Sequence, residues 1–214
     1  MMKKYTIQFV RHGISYANEI NMIAGWTDVP LTDNGRKELK EIKESYAFLE
    51  TERYYSSDLQ RCKETAALLF TPEHKIDGYL PEFREICFHS LDGEIFTEEQ
   101  MHEYFKEWVH DKKVKDEETL TPLKERAMTA LLAFLKKMDD EKFESATIVS
   151  HSGFIRGLMC ALLHFSNERW NELKVPNGRG YIFTLYADDM GITGVEIEAV
   201  HHKEAPKYSC VLES

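Results

Sequence analysis

No stretch of this 214-residue chain approaches the ~20 consecutive apolar residues that a membrane-spanning helix requires. Met1-Met2-Lys3-Lys4 imitates the start of a secretory leader, but the apolar run that follows ends at Val10 and contains Gln8. A cytoplasmic protein is therefore expected. Positive charge is also short: 27 Lys and Arg stand against 37 Asp and Glu, for a formal net charge of −10. That balance argues against nucleic acid or an anionic membrane as a partner, since both attract clustered Lys and Arg. A few cations focused in one cleft would still bind a small anion. Cysteine is scarce; Cys62, Cys87, Cys160 and Cys210 are scattered without the Cys-x-x-Cys spacing of zinc or redox sites. With few Gly and Pro, no repeat and no low-complexity segment, the composition is that of a globular protein. The length suits one domain over residues 1–214.

What is present begins at Tyr5-Thr6-Ile7-Gln8-Phe9-Val10, a run of β-branched and aromatic residues leading straight into Arg11-His12-Gly13. Reactive groups of open α/β sheets collect just past the carboxyl ends of strands, and Gly13 lets the backbone turn tightly there. A second copy of the pattern follows much later, where Ala146–Ser150 ends in His151-Ser152-Gly153. Parallel strands would bring both histidines to one edge of a sheet.

Between them, Ile14 to Val29 reads as a loop, and Thr32 as the N-cap of a helix carrying Leu39, Ile42, Tyr46 and Leu49. Arg53–Ser56 is a short strand, and Ser56 or Ser57 caps a helix that holds Arg61 in its first turn. Thr97 and Gln100 form a capping box for a helix over Met101, Tyr104, Phe105 and Trp108. His110–Glu118 is a charge run expected to be solvated, and Thr121-Pro122 opens a long helix to about Met138. Further helices follow at about Phe154–His164 and after Ser166, with strands at Tyr181–Tyr186 and Ile192–Val200. The alternation predicts an α/β fold of three layers, α/β/α, with a mostly parallel central sheet. Residues 82–120 are expected to form a small helical cap insertion above it.

His12 is open to four readings: nucleophile, general base, metal ligand or plain strand-end histidine. Two imidazoles with Arg11 and Arg61 around one point describe a phosphoryl pocket, because guanidiniums fork onto phosphate oxygens and a histidine nitrogen can attack phosphorus. The alternative is that each arginine pairs with an acid. Among the aromatics of 82–120, Tyr104, Phe105 and Trp108 are expected in the core. Asn177-Gly178-Arg179-Gly180 is read as an ordinary turn. The adjacent His201 and His202 would face opposite ways on a strand, which argues against a shared metal.

Arg11-His12-Gly13-Ile14-Ser15-Tyr16-Ala17-Asn18 resembles the Arg-His-Gly-x₄-Asn signature of the histidine phosphatase superfamily, the phosphoglycerate mutase-like fold. The resemblance continues through Gly25–Thr32 and Gly35, then Ser56–Ala66, Arg84-Glu85 and Val149–Arg156, in the family's order. It implies His12 as a phosphorylated nucleophile, with Arg11, Arg61 and His151 as phosphate ligands and Glu85 as proton donor. It also implies Asn18 beside the phosphate, with Gly25, Trp26, Thr27 and Ser152 toward the substrate. Phe88-His89-Ser90-Leu91-Asp92-Gly93 departs from the Phe-Gly-x-x-Glu-Gly common among the phosphatases, and a mutase's Glu-Arg-His-Tyr-Gly block is missing. A surface glutamate is the plain alternative for Glu85.

The expected activity is a metal-independent phosphomonoesterase that hydrolyses a small phosphorylated metabolite through phosphohistidine, with no cofactor. A cofactor-dependent phosphoglycerate mutase, a catalytically silent phospho-ligand-binding module and a metallohydrolase built on the two histidines are the competing readings. Oligomeric state, including a homodimer, is left open.

Overall fold

The computed structural model describes residues 2–200 and 207–212, so the His201-His202 pair lies outside the described residues. The chain runs β1 (Lys3–Arg11), α1 (Tyr16–Glu19), α2 (Asp33–Ser45), β2 (Arg53–Ser56), α3 (Gln60–Phe70) and β3 (Gly78–Tyr79). It continues with α4 (Glu98–Trp108), α5 (Leu120–Glu141), β4 (Ser145–Ser150), α6 (Ser152–Leu162), β5 (Gly180–Asp188), β6 (Gly191–Val200) and β7 (Tyr208–Val211).

One sheet has the strand order β3-β2-β4-β1-β5-β6-β7. Its first four strands are parallel, and β5, β6 and β7 extend it antiparallel from β1. Successive residues of the central strands serve opposite faces, as the period of two demands. Val10, Tyr54 and Val149 pack under α2 and α3 with Leu39, Ile42, Cys62 and Ala66. Phe9, Tyr55 and Ile148 pack on the other side with α5 and α6, among Leu123, Phe134, Phe154 and Leu158. These are the three expected layers. Full burial of side chains such as Ile7, Phe9 and Phe183 stabilises the fold by roughly 1.5–3 kcal/mol each.

Register matters more to function than composition does. Arg11 pairs with Ser150 and Ser56 with Val149, so β1, β4 and β2 end level with one another. His12, His151 and Ser57 therefore leave the sheet at the same edge.

Residues 81–119 pass across that edge. Ile23 donates its backbone N–H to the Glu94 carbonyl of this excursion and accepts that of Gly93, and Met22 bridges Ile95. Several boundaries differ from the sequence expectation. Leu59, not Ser56 or Ser57, is the N-cap of α3: both serine hydroxyls are used elsewhere, and Asp28 accepts the Gln60 N–H at 2.6 Å instead. Helix α5 begins two residues early because Asp111 takes both the N–H and hydroxyl of Thr121, and Pro122 is tolerated within a first turn. The charge run is not wholly solvated. Glu117 is fully buried and accepts the N–H groups of Val114 and Lys115.

Candidate active site

The site is built from strand ends and helix starts. Arg11 is the last residue of β1, and its backbone is gripped from both sides by the Gly178-Arg179 turn. His12 follows, 4% exposed, and its Nδ1 lies 2.7 Å from the Gly13 carbonyl oxygen. A carbonyl only accepts, so Nδ1 carries the proton and Nε2 keeps its lone pair. Burial, then the charges of Arg61 and Arg11, push the His12 pKa well below its usual value, which leaves the ring neutral at pH 7.

Arg61 lies in the first turn of α3 and is 2% exposed. Its guanidinium donates to the carbonyls of Thr27 at 3.0 Å and Gly25 at 2.7 Å. Arg11 donates to the Val175 carbonyl at 2.8 Å, and its Nε is buried with no acceptor. Neither arginine pairs with an acid among the described residues, so the ion-pair alternative fails. Carbonyls aim these cations without neutralising them, while Glu85 acts on Arg11 through its charge and not through a direct ion pair. Such an arrangement is costly unless an anion completes it.

His151 lies across from His12, with ring centroids 5.2 Å apart at an interplanar angle of 62°. It is fully buried, its Nε2 is 3.0 Å from Ser57 Oγ, and Cys62 Sγ sits 3.4 Å from the same nitrogen. Burial and the charge of Arg61 hold its pKa, too, well below the usual histidine value. Thr65 ties the parts together, accepting the Gly13 N–H and donating to the Arg61 carbonyl.

Glu85 reaches the start of α6. Its Oε1 accepts the N–H of Ile86 at 3.0 Å and of Phe154 at 3.1 Å, and its Oε2 accepts that of Gly153 at 3.1 Å. An anionic side chain is well placed over free N–H groups at a helix start. The surface reading of Glu85 is thereby replaced by a docked carboxylate facing the cavity.

Arg11, His12, Asn18, Gly25, Arg61, Glu85 and Ser152 all line one cavity of about 240 Å³. Asn18 accepts hydrogen bonds at its Oδ1 from Ser15 and Asn177. Trp26 and Thr27 do not line it. The Trp26 indole donates to the Glu85 carbonyl and lies beneath Arg84, while the backbone N–H groups of both residues are held by Asp92. They brace the wall from behind. Gly25 has φ +30°, and a Cβ there would meet Asp92 Oδ1 at 2.3 Å, so only glycine lets this brace close on the loop that orients Arg61.

The outer wall is apolar, formed by Met22, Ile23, Phe88, Met101 and Phe105. Phe105, expected in the core, both stacks on Trp170 and reaches the cavity, whereas Tyr104 and Trp108 are buried as expected. His89 has φ +48°, the left-handed region natural to the glycine that it replaces. Arg179 points away, over the ring of Tyr46.

Arg156 closes the matched block Val149–Arg156, and although the resemblance assigns it no role, it lines the cavity. Its guanidinium sits 3.7 Å above Trp170, and burial lowers its pKa to about 10. Ser57 and Thr65 lie inside the matched block Ser56–Ala66, and Asp92 in the divergent Phe88–Gly93 stretch, but the resemblance gives none of them a role of its own. Among the described residues no group of three or more His, Cys, Asp or Glu is arranged to hold a metal ion, and no helix is long and apolar enough to cross a membrane.

Known phosphatases and phosphoglycerate mutases resemble this chain in sequence and fold. A 2,3-bisphosphoglycerate-dependent phosphoglycerate mutase 2 of Gloeobacter violaceus is 28% identical over 175 residues, covering 78% of this chain and 79% of the relative. An adenosylcobalamin/alpha-ribazole phosphatase of Salmonella typhi is 28% identical over 193 residues, covering 79% and 90%. The alpha-ribazole phosphatase structure from Shigella flexneri superposes with a TM-score of 0.69 at 18% identity, over 92% of this chain and 96% of that one, which establishes the shared fold. The sequence profile of the histidine phosphatase superfamily (branch 1) matches residues 7–197. The chain belongs to that superfamily, whose members similar to it are phosphatases and phosphoglycerate mutases.

Proposed function

We propose that the protein is a metal-independent phosphomonoesterase that works through a phosphohistidine at His12. The observation that carries this reading is the set of buried guanidiniums of Arg11 and Arg61, aimed by carbonyls and free of acid partners, beside a neutral histidine whose Nδ1 proton is spoken for. In that reading the substrate's phosphoryl oxygens take the arginine N–H groups and the Asn18 amide. His151 Nε2 turns from Ser57 to a phosphoryl oxygen.

Nε2 of His12 attacks phosphorus in line with the leaving oxygen; the P–N bond forms as the P–O bond breaks. The fixed guanidiniums stabilise charge on the equatorial oxygens without reorganising. Glu85, in the carboxylic acid form that the water step of each turnover regenerates, delivers its proton to the departing alkoxide. Its backbone donors fix the direction of the carboxyl: two N–H groups occupy Oε1 and one occupies Oε2, so Oε2 keeps the lone pair that carries the transferred proton. The alcohol leaves, water enters, Glu85 takes its proton, and hydroxide displaces His12 from phosphorus.

Hydrolysis is favoured over mutase chemistry by the outer wall. A mutase must hold a doubly phosphorylated acid, which calls for a second group of cations. Here Met22, Ile23, Phe88, Met101 and Phe105 occupy that wall, with Arg156 the single further guanidinium of the cavity lining. The space suits one phosphoryl group and a compact, largely uncharged alcohol. A panel of phosphomonoesters, with and without exhaustive chelation, tests the proposal by phosphate release. Turnover that survives chelation and disappears in His12→Ala is expected; full activity in His12→Ala would refute it.

A further inference from the structure

The stretch that carries Glu85 has little regular structure of its own. Only the 3₁₀ turn Pro81–Phe83 precedes it, and no strand or helix intervenes before His89. Backbone polar groups in such a segment still need partners, and a proton donor on it needs a fixed origin. Both needs are met by one side chain from α5.

Arg126 grips Glu118 as a two-point fork, Nε to Oε1 at 2.7 Å and a terminal nitrogen to Oε2 at 2.8 Å. Its remaining donors reach the carbonyls of Glu82 at 3.3 Å, Arg84 at 3.1 Å and Glu85 itself at 2.9 Å. Glu118 completes the hold by accepting the Cys87 N–H at 3.0 Å. The face of the same guanidinium lies 5.6 Å from the ring of Phe154, the residue whose N–H binds the Glu85 carboxylate. One planar group thus fixes the backbone from which Glu85 projects and packs on the helix that receives it. Arg126 does not line the cavity, so it acts through Glu85 and not on substrate.

We infer that Arg126, locked by Glu118, is a positioning residue for proton transfer by Glu85, an inference that rests on the general-acid reading above. Lysine would keep the charge and lose the planar fork that spans a carboxylate and three carbonyls.

The test compares an alkyl phosphate, whose alkoxide needs a proton, with p-nitrophenyl phosphate, whose nitrophenolate does not. Arg126→Met should lower kcat for the alkyl phosphate by roughly 10²-fold, the scale of an ångström-sized misplacement, with KM nearly unchanged and the nitrophenol burst rate retained. Arg126→Lys should fail to rescue, and Glu118→Gln should give the same pattern more weakly even where Arg126→Met folds poorly. In a Glu85→Gln background, Arg126→Met should add little further loss, because the two act on one step. Equal losses of the phosphorylation rate on both substrates, or full additivity, beside a leaving-group-dependent Glu85→Gln would overturn the positioning role alone. Leaving-group independence in Glu85→Gln itself would overturn the acid assignment and the positioning role with it.

Discussion

A Cβ placed on Gly153 would lie 2.3 Å from Oε1 of Glu85. The carboxylate occupies the volume that any other residue at position 153 would claim, and it accepts the N–H of that same residue at 3.1 Å. Glycine at the start of α6 is therefore a requirement of the acid and of the adjoining Ile86 side chain, whose Cδ1 would lie 2.6 Å from the same Cβ, not of the helix.

Gly153→Ala should displace Glu85 and reproduce its loss. General acid catalysis is worth roughly 10²–10⁴-fold, so both Gly153→Ala and Glu85→Gln should lose activity on this scale with alkyl phosphates and keep the nitrophenol burst. Pre-steady-state kinetics on the two substrates reads this directly. A Gly153→Ala enzyme with normal alkyl phosphate turnover would mean that Glu85 is free to act from elsewhere.

Much of this arrangement was legible in the sequence, for physical reasons. Strands that end in Arg11-His12 and Ser150-His151 are buried on both faces, so their apolar runs and chemical termini are contiguous in the chain. Phosphate ligands of this kind announce themselves locally. What stayed hidden was long-range: Arg126 and Glu118 sit on a helix and in a charge run whose polar residues look like any solvated face. Trp26 and Thr27 matched a family block, yet their contacts with Asp92 and Glu85 are set by chain segments some sixty residues away. Strand β7 has no signature in the sequence because Tyr208–Val211 is a short edge with half its residues exposed.

Folding stability should fall as pH drops below about 6.5, the ordinary histidine value. His12 and His151 are both held neutral by burial and neighbouring arginines, so their folded pKa values lie below those of the unfolded chain. Below 6.5 the unfolded state takes up protons that the fold refuses, at a cost of up to ~1.4 kcal/mol per pH unit for each histidine. Above that value neither contributes a slope. Urea midpoints at pH 7.5 and 5.5 should therefore diverge more for the native protein than for a His12→Gln/His151→Gln double variant. Parallel shifts would show that neither imidazole is held neutral.

Hydrolysis should outrun phosphoryl migration. With 3-phosphoglycerate and a trace of the 2,3-bisphosphate, released phosphate is expected to exceed 2-phosphoglycerate formed, because the wall of Phe88, Met101 and Phe105 offers no cluster of cations for a second phosphate. Isomerisation far faster than release would favour the mutase reading.

Covalent phosphorylation of His12 tests the account most directly. Labelled phosphomonoester mixed with enzyme and quenched without acid within the first turnover should give a phosphoprotein that is labile in acid and stable in base. The label should map by mass spectrometry to the peptide holding Arg11-His12-Gly13 and be absent from His12→Ala. Steady turnover with no label on His12, or label on another residue of the wild-type enzyme, would contradict it.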